Sequence, residues 1–317
     1  MPRIALLDDY QNVALAMADW SALGPDVETV AFADHLDDED ALVTRLADFD
    51  IVMAMRERTP FPASVFGRLP KLKLLVTAGM RNASIDLAAA TANGVTVCGT
   101  GGQAHPTAEL TWGLILSLMR HIPSEDRAVR AGQWQLNVGL GLAGRTLGVI
   151  GLGRLGARVA KVGLAFDMNV IAWSQNLTGE RAAAVGVRQV SKETLLAESD
   201  VATVHLVLSE RSRHLIDAAA LALMKPTAYL VNTSRGPIVD EAALVAALRQ
   251  GTIAGAGIDV FGTEPLPLDH PLRSLPNTVL TPHVGYVTEE TYETFYGGAF
   301  DAIKAFLAGT PIAVLNA

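Results

Sequence analysis

The sequence predicts an α/β protein built from two doubly wound parallel-sheet domains. Three observations carry that expectation. Two series of short apolar runs alternate with helical stretches, a densely apolar helix lies between the series, and a glycine-rich turn opens the second. A chain of 317 residues suits two domains, because one core rarely grows beyond about 250 residues.

In the first series the apolar runs fall at 4–7, 27–32, 51–55, 72–77 and 95–98, with helical stretches at 36–48 and 84–93. Continuous apolar runs, rather than alternating ones, mark strands buried on both faces, as in a parallel sheet covered by helices. The segment from His105 to Arg120 follows, too apolar for a one-sided surface helix and predicted to be buried as a connector. Residues 131–140, with Gly132, Trp134 and Gly139, read as a loop or arm. The second series has runs at 146–150, 170–173, 201–204, 229–232, 257–260 and 278–280. An eightfold barrel is the architectural alternative, but the intervening apolar helix fits two units better.

Composition narrows the function. The net charge is -8 and no basic run tracks a phosphate backbone, so nucleic acid is not an expected partner. Cys98 is the single cysteine, which excludes an intrachain disulfide and a multi-cysteine metal site. No HExxH, CxxC or paired His/Asp spacing suggests a metal, and no G-x-x-x-x-G-K-[ST] loop suggests nucleotide hydrolysis. No apolar stretch is long enough for a bilayer and no signal peptide opens the chain, so a cytoplasmic enzyme is expected.

Gly151, Gly153 and Gly156 form GxGxxG between the apolar run 146–150 and a helical run that begins with Arg154 and Leu155. Such glycines give a tight turn, close backbone approach to a pyrophosphate, and close helix–strand packing, with the anion on the helix N-terminus. The fingerprint places an acid for the ribose about 20 residues on. Ser174 stands there instead, while Asp167 lies before the strand. NAD is the expected cofactor, and NADP is not excluded.

Three later runs each end in polar residues: Asn232-Thr233-Ser234-Arg235-Gly236, Asp259-Val260-Phe261-Gly262-Thr263-Glu264-Pro265, and Thr281-Pro282-His283. Carboxyl ends of parallel strands line the ligand crevice, so these segments can converge. With Pro237-Ile238-Val239-Asp240-Glu241 and the earlier Ala104-His105-Pro106-Thr107-Ala108-Glu109-Leu110, they make the chain resemble the D-isomer-specific 2-hydroxyacid dehydrogenase family over nearly its whole length. The resemblance implies a Rossmann cofactor domain at about 101–286, inserted into a flavodoxin-like substrate domain at 1–100 and 287–317. It also implies a cleft that closes on a small D-2-hydroxy or 2-keto acid.

By the same resemblance Arg235, Glu264 and His283 match the catalytic residues. Arg235 would bind the substrate carboxylate and polarise its carbonyl. His283 would donate or accept the proton, with Glu264 holding its tautomer and favouring the charged form. Glu264 stands where formate dehydrogenases carry glutamine, which favours keto-acid chemistry. Thr107, Thr233 and Asp259 match cofactor contacts, Asp259 at the nicotinamide carboxamide. The segment Val76-Thr77-Ala78-Gly79-Met80-Arg81-Asn82-Ala83 matches a loop whose backbone N–H groups bind the substrate carboxylate. Arg56 sits where an arginine often follows the third strand. Met80, Arg81, Tyr286 and Val207 depart from the usual residues. Arg81 either selects a second anionic group or is solvated, and Tyr286 would narrow the pocket or reach substrate.

Among the other histidines, His205 and His214 read as structural, and His35 and His270 as surface residues; Trp112 and Trp134 read as core or interface packing. A homodimer is implied, with the 131–140 arm as the contact. The alternative is a catalytically silent dinucleotide sensor on the same fold.

Overall fold

The computed structural model describes residues 1–316. The chain divides into two compact units, Met1–Gln103 together with the segment from Val287 onward, and Ala104–Tyr286. The first unit contains β1 (Arg3–Leu6), β2 (Glu28–Ala31), α1 (Glu39–Leu46), β3 (Ile51–Ala54), α2 (Ala63–Phe66), β4 (Leu74–Thr77), α3 (Leu87–Ala92) and β5 (Thr96–Gly99). The second begins with α4 (His105–Met119), α5 (Ile122–Arg130), β6 (Thr146–Ile150), α6 (Arg154–Ala165), β7 (Asn169–Trp173), α7 (Gly179–Ala183) and β8 (Arg188–Gln189). It continues through α8 (Lys192–Glu198), β9 (Val201–Val204), α9 (Ala218–Ala222), β10 (Tyr229–Asn232), α10 (Glu241–Gln250), β11 (Gly255–Ile258) and β12 (Thr278–Leu280). The long α11 (Glu289–Leu307) then returns to the first unit.

In the first unit five parallel strands run in the order β2-β1-β3-β4-β5, the doubly wound flavodoxin-like arrangement. β3 and β4 are buried at every residue, which is why their sequences are continuous apolar runs. The helix α11 packs on β4 and β5. Its buried Tyr292, Phe295, Tyr296, Ala299 and Ile303 recur at helical spacing. The Thr288 side chain accepts from Thr291 N–H to start it, and Glu289 and Glu290 face the positive end of its dipole. Residues 101–103 stay with this unit because the Gln103 amide donates to Glu290 O (3.5 Å) and Thr294 Oγ1 (3.4 Å).

In the second unit seven parallel strands run β12-β11-β10-β9-β6-β7-β8, so the sheet reverses direction of growth between β6 and β9. That is the Rossmann order with its switch point. The apolar α4 lies on β10, β11 and β12 of its own sheet. β11 permits this with small residues: a Cβ on Gly257 would lie 3.1 Å from Leu114 Cβ. Trp112 is buried in α4 and donates its ring N–H to Val159 O (3.2 Å). By contrast Trp134 is 75 % exposed, so it is not a core residue of the chain.

The structure departs from the sequence reading at several points. β11 ends at Ile258, so Asp259 and Val260 lie beyond the strand. Neither α5 nor the two-residue β8 was expected; β8 is exposed at both residues and too short for a periodic signal. His35 is not a surface residue: its side chain is 7 % exposed, with Nδ1 2.8 Å from Asp8 and Nε2 3.0 Å from Asp37. His270 is likewise partly buried against Glu241. Among the described residues no helix is long and apolar enough to cross a membrane.

Candidate active site

The site starts from sheet register. In the second unit Trp173, Ile150, Val204, Asn232, Ile258 and Leu280 are successive neighbours across six parallel strands. The carboxyl ends of those strands are therefore level. The glycine turn, Ser174, His205, Arg235, Asp259 and His283 all leave this one edge within a few residues of it.

At the switch point the Gly151 N–H donates to Trp173 O (2.8 Å), tying the turn after β6 to the end of β7. A Cβ on Gly151 would lie 2.6 Å from His205 O, and one on Gly156 would lie 2.0 Å from Gly151 O. Both contacts are with backbone and cannot yield. Gly153 differs: no atom lies within 4 Å of where its Cβ would stand. It also caps α6 without any side-chain bond, whereas α1, α3, α7, α8, α9, α10 and α11 are each capped by an Asp, Ser or Thr side chain. Uncapped N–H groups behind an open backbone surface are what a pyrophosphate requires, so these residues fit a dinucleotide. Arg154 is exposed, Leu155 is half-buried, and Ser174 is half-buried at the end of β7.

His205 lies in the loop after β9. Its Nε2 is 2.9 Å from Thr203 Oγ1, and its Nδ1 is buried with no hydrogen-bond partner among the described residues. Burial pushes the imidazole down to about 3, so it is neutral near pH 7.

The loops after β10, β11 and β12 carry the polar cluster. His283 Nδ1 is 2.5 Å from Glu264 Oε2, and Glu264 Oε1 accepts from Phe261 N–H at 2.8 Å. The His283 backbone sits in the left-handed region at φ 54, an uncommon conformation for a residue with a side chain. Asp259 holds it there. Asp259 O accepts from His283 N–H (2.8 Å), and its carboxylate accepts from Thr281 Oγ1 (2.6 Å), Val284 N–H (2.9 Å) and Gly285 N–H (2.9 Å). Asp259 is fully buried, and both its oxygens serve the 281–285 loop. Burial also raises its carboxyl above the ordinary range. The sequence could not signal this role, because the bonded residues lie 22 to 26 positions away.

Tyr286 is 9 % exposed and meets the His283 ring edge-on, with ring centroids 5.7 Å apart, so its ring supports the imidazole from one side. Thr107, in the first turn of α4, lies 3.3 Å from where a Cβ on Gly285 would stand. The Thr233 hydroxyl is buried and 2.8 Å from Thr111 Oγ1, which ties the loop after β10 to α4. Arg235 is half-buried and donates from Nη1 to Ser234 O (2.7 Å).

In the first unit the residues expected at the substrate follow β3 and β4. Arg56 Nη1 donates to Ala78 O (3.1 Å), and a Cβ on Gly79 would lie 2.1 Å from that nitrogen. With φ +90 as well, position 79 requires glycine. The Gly79 N–H is already bonded to Thr100 Oγ1 (2.8 Å), so it is not among the loop's free donors. The N–H groups of Met80 and Arg81 have no partner among the described residues. Asn82 anchors the loop by donating to Arg56 O (2.6 Å) and Thr77 Oγ1 (2.9 Å). Met80 is 52 % exposed, and Arg81 is exposed with no ion pair among the described residues.

A Rossmann sheet with a pyrophosphate-ready glycine turn, and a hydrogen-bonded carboxylate–imidazole pair at the same edge, defines a nicotinamide-dependent oxidoreductase. The chain belongs to the D-isomer specific 2-hydroxyacid dehydrogenase family, whose NAD binding domain model matches residues 112–285. It is 41% identical to a glyoxylate reductase of Aeropyrum pernix, over 77% of this chain and 76% of that one. It is 37% identical to the D-3-phosphoglycerate dehydrogenase of Bacillus subtilis, over 87% of this chain but only 52% of that longer protein. A solved phosphoglycerate oxidoreductase from Vibrio cholerae superposes with a TM-score of 0.92 at 36% identity, covering 98% of this chain and 100% of that one. The protein is thus an NAD-linked enzyme that interconverts 2-hydroxy and 2-keto acids by hydride transfer to or from the nicotinamide, with NADP as the alternative cofactor. A silent sensor is not favoured.

Proposed function

We propose that Arg235, Glu264 and His283 carry the chemistry on a small D-2-hydroxy acid or its 2-keto acid. The observation behind this reading is the 2.5 Å Nδ1–Glu264 hydrogen bond, which leaves His283 Nε2 without a partner among the described residues. Glu264, kept as an acceptor by its carboxylate charge, holds the Nδ1 proton in place. The neutral imidazole then has its lone pair on Nε2. In keto-acid reduction the protonated ring gives its Nε2 proton to the carbonyl oxygen, and in the reverse direction Nε2 takes the proton from the hydroxyl. A nicotinamide held at the glycine turn would supply or accept the hydride at the substrate's C2. Arg235 pairs its planar fork with the substrate carboxylate and polarises the carbonyl.

Gly151, Gly153, Arg154, Leu155 and Gly156 are assigned to the pyrophosphate, Ser174 to the ribose, and Thr107 and Thr233 to the nicotinamide half. Asp259 is assigned to the nicotinamide carboxamide, with its carboxylate also holding the His283 loop. Arg56, Gly79, Met80 and Arg81 are assigned to the substrate, with the Met80 and Arg81 N–H groups as anion donors, and Tyr286 to narrowing the pocket beside His283. The segments 1–103 and 287–316 act as the substrate domain, and 104–286 as the cofactor domain. The enzyme is assigned to the cytoplasm as a homodimer, the dimer alone being supported by the exposed apolar arm, where Trp134, Leu136 and Val138 are 75%, 54% and 92% exposed.

A panel of glyoxylate, pyruvate, hydroxypyruvate and 3-phosphohydroxypyruvate, run with NADH and NADPH, tests the reading. Oxidation of either cofactor by at least one acid is expected. Binding of NADH without oxidation by any of the four would overturn it.

A further inference from the structure

We propose that Glu241 is a positioning residue for the carboxylate–imidazole pair, acting through the backbone of the loop that carries Glu264. The inference rests on the reading of Glu264 and His283 above, and is carried by a separate set of bonds.

Glu241 opens α10, with Asp240 as the helix cap, so its side chain projects from a rigid element. Its Oε2 accepts from Gly262 N–H at 3.1 Å, and its Oε1 accepts from His270 Nε2 at 3.1 Å. His270 Nδ1 accepts from Leu272 N–H at 3.3 Å. A nitrogen that accepts carries no proton, so His270 has its proton on Nε2, directed at Glu241. Glu241 therefore grips the 261–272 loop near both ends.

Two successive amides are bound by two carboxylates: Phe261 N–H by Glu264 and Gly262 N–H by Glu241. The peptide between Phe261 and Gly262 is pinned at its other end too. A Cβ on Gly236 would lie 2.0 Å from Phe261 O, so the turn that follows Arg235 is pressed against that carbonyl. Releasing the Gly262 N–H removes one of the two restraints on this peptide, and with it part of what fixes the chain from Gly262 to Glu264 relative to Phe261. The Glu264 side chain then loses its fixed reach to Phe261 N–H, and with it the fixed distance from Glu264 Oε2 to His283. Glu241 touches neither His283 nor Glu264 in any of these bonds, so its effect has to pass through the loop.

The test compares Glu241→Ala and Glu241→Gln with the parent, alone and combined with Glu264→Gln. It measures kcat, KM and the far-downfield proton NMR signal of His283 Nδ1–H. A glutamine can accept from Gly262 N–H but meets His270 Nε2–H with a donor or leaves it unpaired, so it is expected to fall between parent and alanine. We expect Glu241→Ala to lower kcat about tenfold, with KM within about twofold, because misaligned groups cost rate rather than binding. The Nδ1 proton signal should weaken or move upfield. In the Glu264→Gln background the same change should add almost nothing, since the group it positions is already gone. Equal losses in both backgrounds, or an unmoved Nδ1 signal, would overturn the proposal. If Glu241→Ala does not fold, Glu241→Gln carries the same comparison. Near-parental turnover by Glu264→Gln alone would sink the acid–imidazole reading instead, and the Nδ1 signal would then decide the positioning role by itself.

Discussion

The carboxyl edges of the two sheets make opposite use of the same topological feature. Each sheet has a switch point, between β1 and β3 in the first unit and between β6 and β9 in the second. At the first, polar groups satisfy one another. Asp8, 1 % exposed, takes hydrogen bonds from Thr59 and His35, and its carbonyl accepts from Arg58. Asp9, equally buried, accepts from Val13 N–H and Ala14 N–H. At the second, Gly153 stands in open space, α6 has no side-chain cap, and His205 Nδ1 has no partner among the described residues. A doubly wound sheet offers a crevice at any switch point, but the crevice becomes a site only where its polar groups are left for a ligand. The β1/β3 switch point is a sealed joint and the β6/β9 switch point an open one, while the first unit leaves N–H groups unpartnered among the described residues further along the edge, at Met80 and Arg81 after β4.

The comparison can be broken by mutation, and the largest effect should come from the chemistry on the binding edge. His283→Ala and Arg235→Lys should each lower turnover by about 10²-fold or more, with unfolding temperature and dinucleotide affinity near parental. Loss of dinucleotide binding alongside turnover would show that the residues hold the edge together rather than react. Next are the glycines. Gly156→Ala forces a backbone clash and should destabilise the fold by roughly 1–3 kcal/mol while abolishing dinucleotide binding. Gly153→Ala, with room for its methyl, should fold as the parent yet bind NADH about tenfold more weakly. Calorimetry of both variants separates fold from affinity, and equal behaviour would erase the distinction drawn here.

The sealed switch point should respond the other way. Asp8→Asn leaves its buried partners mismatched and should cost roughly 1–3 kcal/mol in denaturant unfolding, with NADH affinity unchanged. The smallest effect concerns pH. The hydrogen bond to Asp8, followed by the nearby charges of Asp8 and Asp37, outweighs burial and raises His35 above its ordinary 6.5. A raised folded value means that the stabilisation is complete below 6.5 and fades as pH rises through the raised value. The stability gap between parent and His35→Gln should thus be wider at about pH 6 than at about pH 9. A gap that widens with pH would contradict the charged His35–Asp8 pair.

Much of the architecture was legible because it rests on local patterns. The runs 146–150, 201–204, 229–232 and 278–280 coincide with β6, β9, β10 and β12; β9 and β10 are buried at every residue, which calls for a mostly apolar run, whereas β12 is a half-buried edge strand marked by two apolar residues. β8 was not, being two exposed residues at a sheet edge. The motifs named Arg235, Glu264 and His283 as residues, and the glycines as a turn. They did not reveal that Asp259 spends its oxygens on Thr281, Val284 and Gly285, or that His35 and His270 are paired with acids. Apart from the contact of His35 with Asp37, those bonds join residues 22 to 29 positions apart.

What the sequence determined by itself was therefore the set of elements, their parallel pairing class and the chemical types available at the strand ends. These follow from hydrophobic periodicity and from glycine spacing, which act over a few residues. The tertiary structure decided which polar groups meet, and so which switch point is sealed and which is open. A buried donor or acceptor must find a partner wherever the fold brings one, and that encounter is set by packing across the sheet rather than by neighbours in the chain.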